Sequence, residues 1–224
     1  MKRSDINELI KSSIEFFNAM NFRLPPWAFW KPEEWKGKYD SCSEIADNML
    51  GWDLTDFGSG HFHDCGLILF SIRNGNIKKD KKTYAEKAMI VEELQETPMH
   101  FHWSKMEDII NRGGGNLVIE LYGSDDRENF SDKPLMVRTD GISRTIPPGG
   151  SVILTPGESI CLEPYVYHRF YGQKGKGKVF VGEVSAVNDD TSDNRFFEPI
   201  GRFPEIVEDE KPLHLLVSDY PKFL

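Results

Sequence analysis

Two histidines and a glutamate stand close together near the middle of the chain. His100 and His102 are separated by one residue, and Glu107 follows five residues after the second histidine. Two imidazoles and a carboxylate form a ligand set suited to a divalent first-row metal ion. A metal centre is therefore the first chemistry that the sequence indicates. The alternative is a pair of half-buried strand histidines beside a surface acid.

The backbone conformation decides whether these three side chains can meet. On a β-strand, residues i and i+2 share a face, whereas on a helix they diverge by about 200°. Glu107 lies at an odd offset from both histidines, so an unbroken strand would turn it to the other face. We therefore expect a strand that ends at His102, a bend near Ser104 and Lys105, and a loop that carries Glu107.

A further histidine and a further glutamate lie in two later segments. Residues 159–170 and 179–187 predict two strands with a glycine-rich turn between them. Paired as a hairpin, these strands would place His168 opposite Glu183 on an apolar face. A histidine and a glutamate on such a face are costly unless they bind a metal or hydrogen-bond to each other. Both explanations are compatible with these residues alone.

Three other histidines carry weaker signals. His61 and His63 form a second His-x-His pair, in a glycine-rich loop with no carboxylate at a comparable downstream spacing. His214 lies in a short apolar segment near the end of the chain. We expect structural or surface roles for all three, and His63 and His214 are minor alternatives for a fourth metal ligand.

Short β-type segments separated by turn residues dominate the chain after residue 66, which favours a sandwich or a small barrel. Residues 4–22 place apolar side chains at helical spacing and predict an amphipathic helix with Ser4 as N-cap, and residues 43–50 predict a second, short helix. We expect residues 1–60 to form an extension, with a proline- and aromatic-rich segment, that packs on the barrel. Residues 61–224 would form the barrel and a C-terminal segment that wraps it, and both parts would belong to one structural domain. The predicted strands are 67–73, 88–91, 99–103, 116–122, 135–139, 151–155, 159–170 and 179–187.

Composition and charge limit the expected partners and compartment. The chain of 224 residues has a formal net charge of −9 and no basic stripe that could meet phosphates, so we expect no nucleic-acid partner. Its three cysteines, with no Cys-x-x-Cys, favour a reducing compartment. No run approaches 18 apolar residues, and the N-terminus lacks an apolar signal segment. We therefore expect a cytoplasmic protein that does not bind membranes.

The central histidine pattern resembles a known family motif. The arrangement His-x-His-x4-Glu, followed by three glycines, resembles cupin motif 1, and residues 164–168 resemble cupin motif 2. Beyond these two motifs, the amino-acid sequence is similar to that of the D-lyxose isomerase family, and this similarity covers most of the chain. The most specific similar stretches are residues 97–116, 156–158 and 216–220.

This resemblance implies a cupin-type β-barrel with an N-terminal helical extension, usually a homodimer. It also implies one divalent ion per chain, typically manganese, held by three histidines and one glutamate. Leu94 and Val166 depart from the family pattern, because glycine is common at both positions; these departures bear on strand register more than on ligand identity. The implied metal ligands are His100, His102, Glu107 and His168.

The resemblance further implies an aldose–ketose isomerase that interconverts D-lyxose and D-xylulose through a cis-enediol, with D-mannose and D-fructose as a second pair. We predict Glu183 as the general base. Lys105 is predicted as a second proton-handling group, because a dication would lower its pKa; its alternative is an exposed loop lysine. Asp193 and Arg195 are predicted to bind sugar hydroxyls in a loop, residues 188–195, that closes over the site. Competing functions are an iron-dependent cupin oxygenase and a non-catalytic sugar-binding cupin.

Overall fold

A computed structural model describes residues 1–79, 81–187, 189, 192–201 and 205–224. Its helical elements are α1 (Arg3–Ala19), a 3-10 turn (Pro26–Phe29), α2 (Pro32–Trp35), α3 (Tyr39–Asp47), a second 3-10 turn (Val217–Asp219) and α4 (Tyr220–Phe223). Its strands are β1 (Gly51–Thr55), β2 (Leu67–Arg73), β3 (Tyr84–Val91), β4 (Thr97–Phe101), β5 (Glu107–Gly114), β6 (Leu117–Gly123), β7 (Leu135–Thr139), β8 (Ile142–Ile146), β9 (Gly150–Leu154), β10 (Ser159–Leu162), β11 (Val166–Gly172), β12 (Val179–Ala186) and β13 (Arg195–Phe196).

The strands form two antiparallel sheets that share one apolar core. The larger sheet has the order β1-β2-β3-β12-β5-β10-β7-β8, and the smaller one has the order β13-β4-β11-β6-β9. Inward-facing side chains of both sheets fill the space between them, including Met89, Val91, Ile109, Leu117, Ile119, Phe170 and Val181. This arrangement confirms the predicted fold class, a mainly β, cupin-type barrel with an N-terminal helix.

Helix α1 covers the outer face of the larger sheet. Its buried stripe contains Ile6, Ile10 and Phe17, and it packs against outward-facing side chains such as Phe70 and Phe180. Residues 67–70 of β2 and 88–91 of β3 are therefore covered on both faces, which explains why these two runs are continuously apolar. The N-cap of α1 is Lys2 and not the predicted Ser4. The hydroxyl and the backbone N–H of Ser4 instead donate to the carboxylate of Asp209.

The C-terminal segment returns to the start of the chain. Lys2 forms a parallel bridge with Val207. The guanidinium of Arg3 is fully buried, and its Nη2 atom lies 2.8 Å from Glu208 and 2.9 Å from Asp219. Of the helices in the described part of the chain, none combines the length and the apolar character that a membrane span requires.

Several predicted boundaries differ from the structure. The segment predicted as one strand, 159–170, is divided into β10 and β11, and β1, β5, β8 and β13 were not predicted. The short helix predicted at 43–50 begins earlier, as α3. Strand β1 lies within the predicted extension 1–60 and pairs with β2 of the barrel. The predicted division of the chain into an extension, 1–60, and a barrel, 61–224, stays a prediction.

The predicted hairpin of β11 and β12 is wrong. Strand β11 pairs with β4 and β6 in the smaller sheet, whereas β12 pairs with β3 and β5 in the larger sheet. His168 lies opposite His100, and Glu183 lies opposite Lys87. The glycine-rich turn between the two strands crosses from one sheet to the other, so His168 and Glu183 are not cross-strand neighbours.

Candidate metal centre and active site

The three predicted histidine ligands converge inside the barrel. His100 on β4 and His168 on β11 are register partners, and their ring centroids lie 4.2 Å apart. His102 follows directly after β4, and all three side chains are buried. One ligand atom from each histidine lies within 4.8 Å of those of the other two, so the group could hold a metal ion.

Glu107 joins the histidines because the chain bends after β4, as predicted. Strand β4 ends at Phe101 and β5 begins at Glu107, so residues 102–106 form the bend. The Oε1 atom of Glu107 lies 3.1 Å from Nε2 of His168 and 3.4 Å from Nε2 of His102. The prediction was inexact in two respects: the strand ends one residue before His102, and Glu107 is the first residue of the next strand and does not lie in the loop itself. We call His100, His102, Glu107 and His168 the ligand cluster.

A backbone carbonyl fixes the orientation of each imidazole. A carbonyl oxygen only accepts hydrogen bonds, so each Nδ1 donates and each Nε2 keeps a free lone pair, the arrangement that metal-binding histidines need. The Nδ1 atoms of His100, His102 and His168 lie 2.8, 2.7 and 3.0 Å from the carbonyl oxygens of Pro98, Asp193 and Val166, respectively.

Two acceptor atoms of the ligand cluster are buried without a donor. Among the described residues, neither Nε2 of His102 nor Oε1 of Glu107 has a hydrogen-bond partner. Burial lowers the pKa of His100 and of His102, so a second proton, on Nε2 of either ring, is disfavoured. Facing acceptors repel each other unless a cation lies between them. The donor set and its unsatisfied acceptors therefore fit a divalent metal ion.

A row of four charges extends from the ligand cluster into the larger sheet. Lys105 Nζ lies 2.7 Å from Oε2 of Glu107 and 3.1 Å from Oε1 of Glu183, and Lys87 Nζ lies 3.3 Å from the same oxygen of Glu183. All four side chains are buried. Alternation of sign lets each charge face an opposite one, which offsets the cost of removing them from water. We call Glu107, Lys105, Glu183 and Lys87 the charge row.

Lys105 is buried, which rules out its alternative as an exposed loop lysine. Burial lowers the pKa of Lys105, but Glu107 and Glu183 outweigh burial and raise that pKa above its ordinary value. The lower pKa that the sequence analysis predicts for Lys105 therefore needs a further positive charge beside Glu107. A divalent ion in the ligand cluster would supply that charge.

Lys87 was not predicted from the sequence, although a signal was present. It lies in the middle of β3, and it shares the inward face with Ala85, Met89 and Val91. A lysine at an inward position of an apolar strand is costly unless it has a partner. The alternation of β3 could thus have identified it as a functional candidate.

One cavity inside the barrel connects the ligand cluster with the charge row. Apolar side chains such as Leu67, Met89 and Phe170 line much of the remaining wall. A largely apolar cavity with a few convergent polar groups is the usual form of a small-molecule site. Asn194 and Phe196 border the same cavity, and the Phe196 ring is stacked on His100 at a centroid distance of 5.2 Å.

Asp193 and Arg195 lie beside the cluster but already have protein partners. The Asp193 carboxylate accepts hydrogen bonds from the backbone N–H groups of Ser104 and Lys105. Arg195 donates to Glu128 at 3.2 Å. Sugar binding by Asp193 and Arg195 stays a prediction. Residues 188, 190 and 191 of the predicted closing loop lie outside the described residues.

The remaining histidines lie outside the cluster, as expected. His61 is exposed, and His63 is exposed and lies 2.8 Å from Glu92. The Nδ1 atom of His214 lies 3.0 Å from the carbonyl oxygen of Trp30.

Comparisons with known proteins identify the family of this chain. A model of the D-lyxose isomerase family matches residues 1–220. A Serratia proteamaculans protein named D-lyxose/D-mannose isomerase is 47% identical over 227 residues, covering 100% of both chains. An Escherichia coli O157:H7 protein of the same name is 46% identical over the same length, again with 100% of both chains covered.

Solved structures of more distant proteins share the fold. The L-ribose isomerase of Cellulomonas parahominis with L-ribose has a TM-score of 0.58 at 14% identity, covering 88% of this chain and 92% of that one. The L-ribose isomerase of Acinetobacter sp. DL28 in complex with L-ribose has a TM-score of 0.58 at 12% identity, covering 88% and 93% of the respective chains. These two likenesses establish the barrel fold alone.

The barrel, the buried cluster and the full-length relatives together define an aldose–ketose sugar isomerase, which confirms the predicted enzyme class. The chain belongs to the D-lyxose isomerase family.

Proposed function

We propose that the protein binds one divalent ion through the ligand cluster and interconverts D-lyxose and D-xylulose through a cis-enediol, with D-mannose and D-fructose as a second pair. One observation carries the metal assignment: His102 Nε2 and Glu107 Oε1 are buried acceptors without a donor among the described residues. The names of the two full-length relatives support the choice of D-lyxose and D-mannose.

Aldose–ketose isomerisation moves a proton between C2 and C1 of the sugar and redistributes hydroxyl protons. A bound divalent ion supplies Lewis-acid stabilisation of the negative charge that develops on the sugar oxygens. Glu183 is the proposed base, since it lies in the same cavity as the ligand cluster. Burial would raise the pKa of Glu183, but Lys105 and Lys87 hold it below its ordinary value, so the carboxylate is ionised and can accept a carbon-bound proton.

Lys105 is the proposed second proton-handling group. Its ammonium lies between Glu107 and Glu183, within hydrogen-bond distance of both. From this position it can donate a proton to a sugar oxygen while Glu183 returns a proton to the neighbouring carbon. Arg195 is retained as a proposed border of the sugar site, since its neighbour Asn194 lines the cavity.

The metal identity, the assembly and the location are also proposals. Three imidazoles and one carboxylate suit manganese among several first-row ions, and the family resemblance supports manganese and a homodimer. The three cysteines are all free, which supports a reducing compartment such as the cytoplasm.

An anaerobic assay with a chelated sample tests this proposal. After exhaustive chelation, conversion of D-lyxose and of D-mannose should stop, and added Mn2+ should restore both conversion and proton exchange at C2. Absence of oxygen should have no effect, because isomerisation needs no oxidant. Full turnover by the chelated protein would contradict the metal assignment, and strict dependence on oxygen would instead favour the cupin oxygenase.

A further inference from the structure

Residues 193–197 form a strap beside the ligand cluster. Arg195 and Phe196 of the strap pair with Phe101 and His100 of β4. The backbone N–H of Phe197 donates to the carbonyl of Met99 at 2.9 Å, which continues the pairing. The strap therefore runs along the same strand that carries the first histidine ligand.

Aromatic packing at Phe197 and an ion pair at Arg195 fix the C-terminal part of the strap. The Phe197 ring is stacked on Phe130 with a centroid distance of 3.8 Å and an interplanar angle of 11°. Arg195 donates to Glu128, which also accepts a hydrogen bond from the indole N–H of Trp103. These contacts give Asp193, at the near end of the strap, a defined position.

Asp193 contacts the bend between His102 and Glu107 through both its carboxylate and its backbone. The carboxylate accepts hydrogen bonds from the N–H of Ser104, the hydroxyl of Ser104 and the N–H of Lys105, each at 2.9 Å. The backbone carbonyl accepts a hydrogen bond from Nδ1 of His102 at 2.7 Å. Asp193 thus contacts the predicted ligand His102, the bend at Ser104, and the backbone of Lys105, whose side chain belongs to the charge row.

The bend needs such an acceptor. The N–H groups of Ser104 and Lys105 lie between β4 and β5, outside both strands, and charge-assisted bonds to the Asp193 carboxylate satisfy both. The direction of the chain through these two residues determines where Glu107 re-enters the cluster and where the Lys105 side chain points.

We propose that Asp193 is a positioning residue of the metal centre, which holds the His102 ring and the bend that delivers Glu107, and is not a sugar contact. This inference rests on the proposed metal site. It assigns to the Asp193 carboxylate an effect on metal affinity, since groups that orient ligands typically contribute about 10- to 100-fold to that affinity.

The test compares Asp193→Asn with Asp140→Asn. Asp140, on an exposed turn, is a matched control. Its carboxylate also accepts hydrogen bonds from the N–H and the hydroxyl of one serine, Ser159. Mn2+ titration by calorimetry, with sugar-free protein, should show an affinity about tenfold lower for Asp193→Asn and unchanged for Asp140→Asn. At saturating Mn2+, kcat should fall in Asp193→Asn while KM for D-lyxose stays unchanged.

A second variant guards against a general loss of structure. Ser104→Ala removes only the hydroxyl contact to Asp193, so it should weaken Mn2+ binding in the unmodified protein and have no further effect in Asp193→Asn. Equal Mn2+ affinity in the unmodified protein and in Asp193→Asn would overturn the positioning role, as would a raised KM with unchanged Mn2+ affinity. Absence of Mn2+ binding by the unmodified protein would instead overturn the metal site, and the positioning role with it.

Discussion

Lys87 Nζ lies 3.3 Å from Oε1 of Glu183, and the two residues face each other across β3 and β12 on the inner face of the barrel. Both side chains are buried. Burial raises the pKa of Glu183, but Lys105 and, together with it, Lys87 hold that pKa below its ordinary value and keep the carboxylate ionised in an apolar cavity. The proposed base therefore depends on a residue from a neighbouring strand.

Replacing Lys87 by methionine should change the pH dependence of kcat. Lys87 lowers the pKa of Glu183, so its removal should raise that pKa and move the acidic limb of the kcat profile to higher pH. Lys79→Met is the control, since Lys79 is exposed and pairs with Asp47. An acidic limb at the same pH in Lys87→Met and the unmodified protein would remove Lys87 from this role.

Glu183→Gln should separate metal binding from catalysis. The amide cannot accept a proton from carbon, so kcat should fall by about 100- to 10,000-fold. Mn2+ content, measured by elemental analysis, should be unchanged, because Glu183 is not in the ligand cluster. Glu163→Gln, at an exposed ion pair with Arg138, should keep full activity. A near-normal kcat of the Glu183→Gln variant would exclude Glu183 as the general base.

His168→Gln should abolish stabilisation by metal. At a Mn2+ concentration of about 100 times its Kd, binding to the folded state adds about 2.7 kcal/mol to the free energy of unfolding. Thermal unfolding followed by circular dichroism should show this gain in the unmodified protein and in His63→Gln, whose site lies on the surface. The gain should be absent in His168→Gln, and a full gain there would remove His168 from the ligand set.

Arg3→Met should destabilise the fold without affecting the site directly. The substitution leaves Asp219, which is buried, without its guanidinium partner, and breaking a buried pair costs about 3 to 5 kcal/mol. Arg73→Met removes the half-exposed Arg73–Glu86 pair and should cost less than about 1 kcal/mol. Urea unfolding of both variants provides the comparison. Similar losses in the two would show that burial of the Arg3 pair has no special effect on stability.

Local spacing was enough to predict that His100, His102 and Glu107 lie close together. Alternation placed His100 and His102 on one face, and the odd offset of Glu107 required a bend at Ser104 and Lys105, which the structure has. These inferences succeeded because they depend on strand geometry over a few residues, which tertiary packing does not alter.

Long-range pairing could not be predicted in the same way. Glu183 and His168 share one cavity, but they reach it from different sheets and not as hairpin neighbours. The partnership of Lys87 with Glu183 depends on the pairing of β3 with β12, which no local pattern specifies. Likewise, the contacts of Asp193 with Ser104 depend on where the strap crosses β4.

The position of the ligand cluster has a mechanical consequence for the barrel. His100 and His168 belong to the smaller sheet, whereas Glu107 opens β5 of the larger one. An ion bound by all of them would act as a cross-link between the two sheets, joining strands distant in sequence much as a disulfide does. Loading with metal should therefore slow amide hydrogen exchange at the start of β5 and the end of β4 together, since neither edge could then open without releasing the ion.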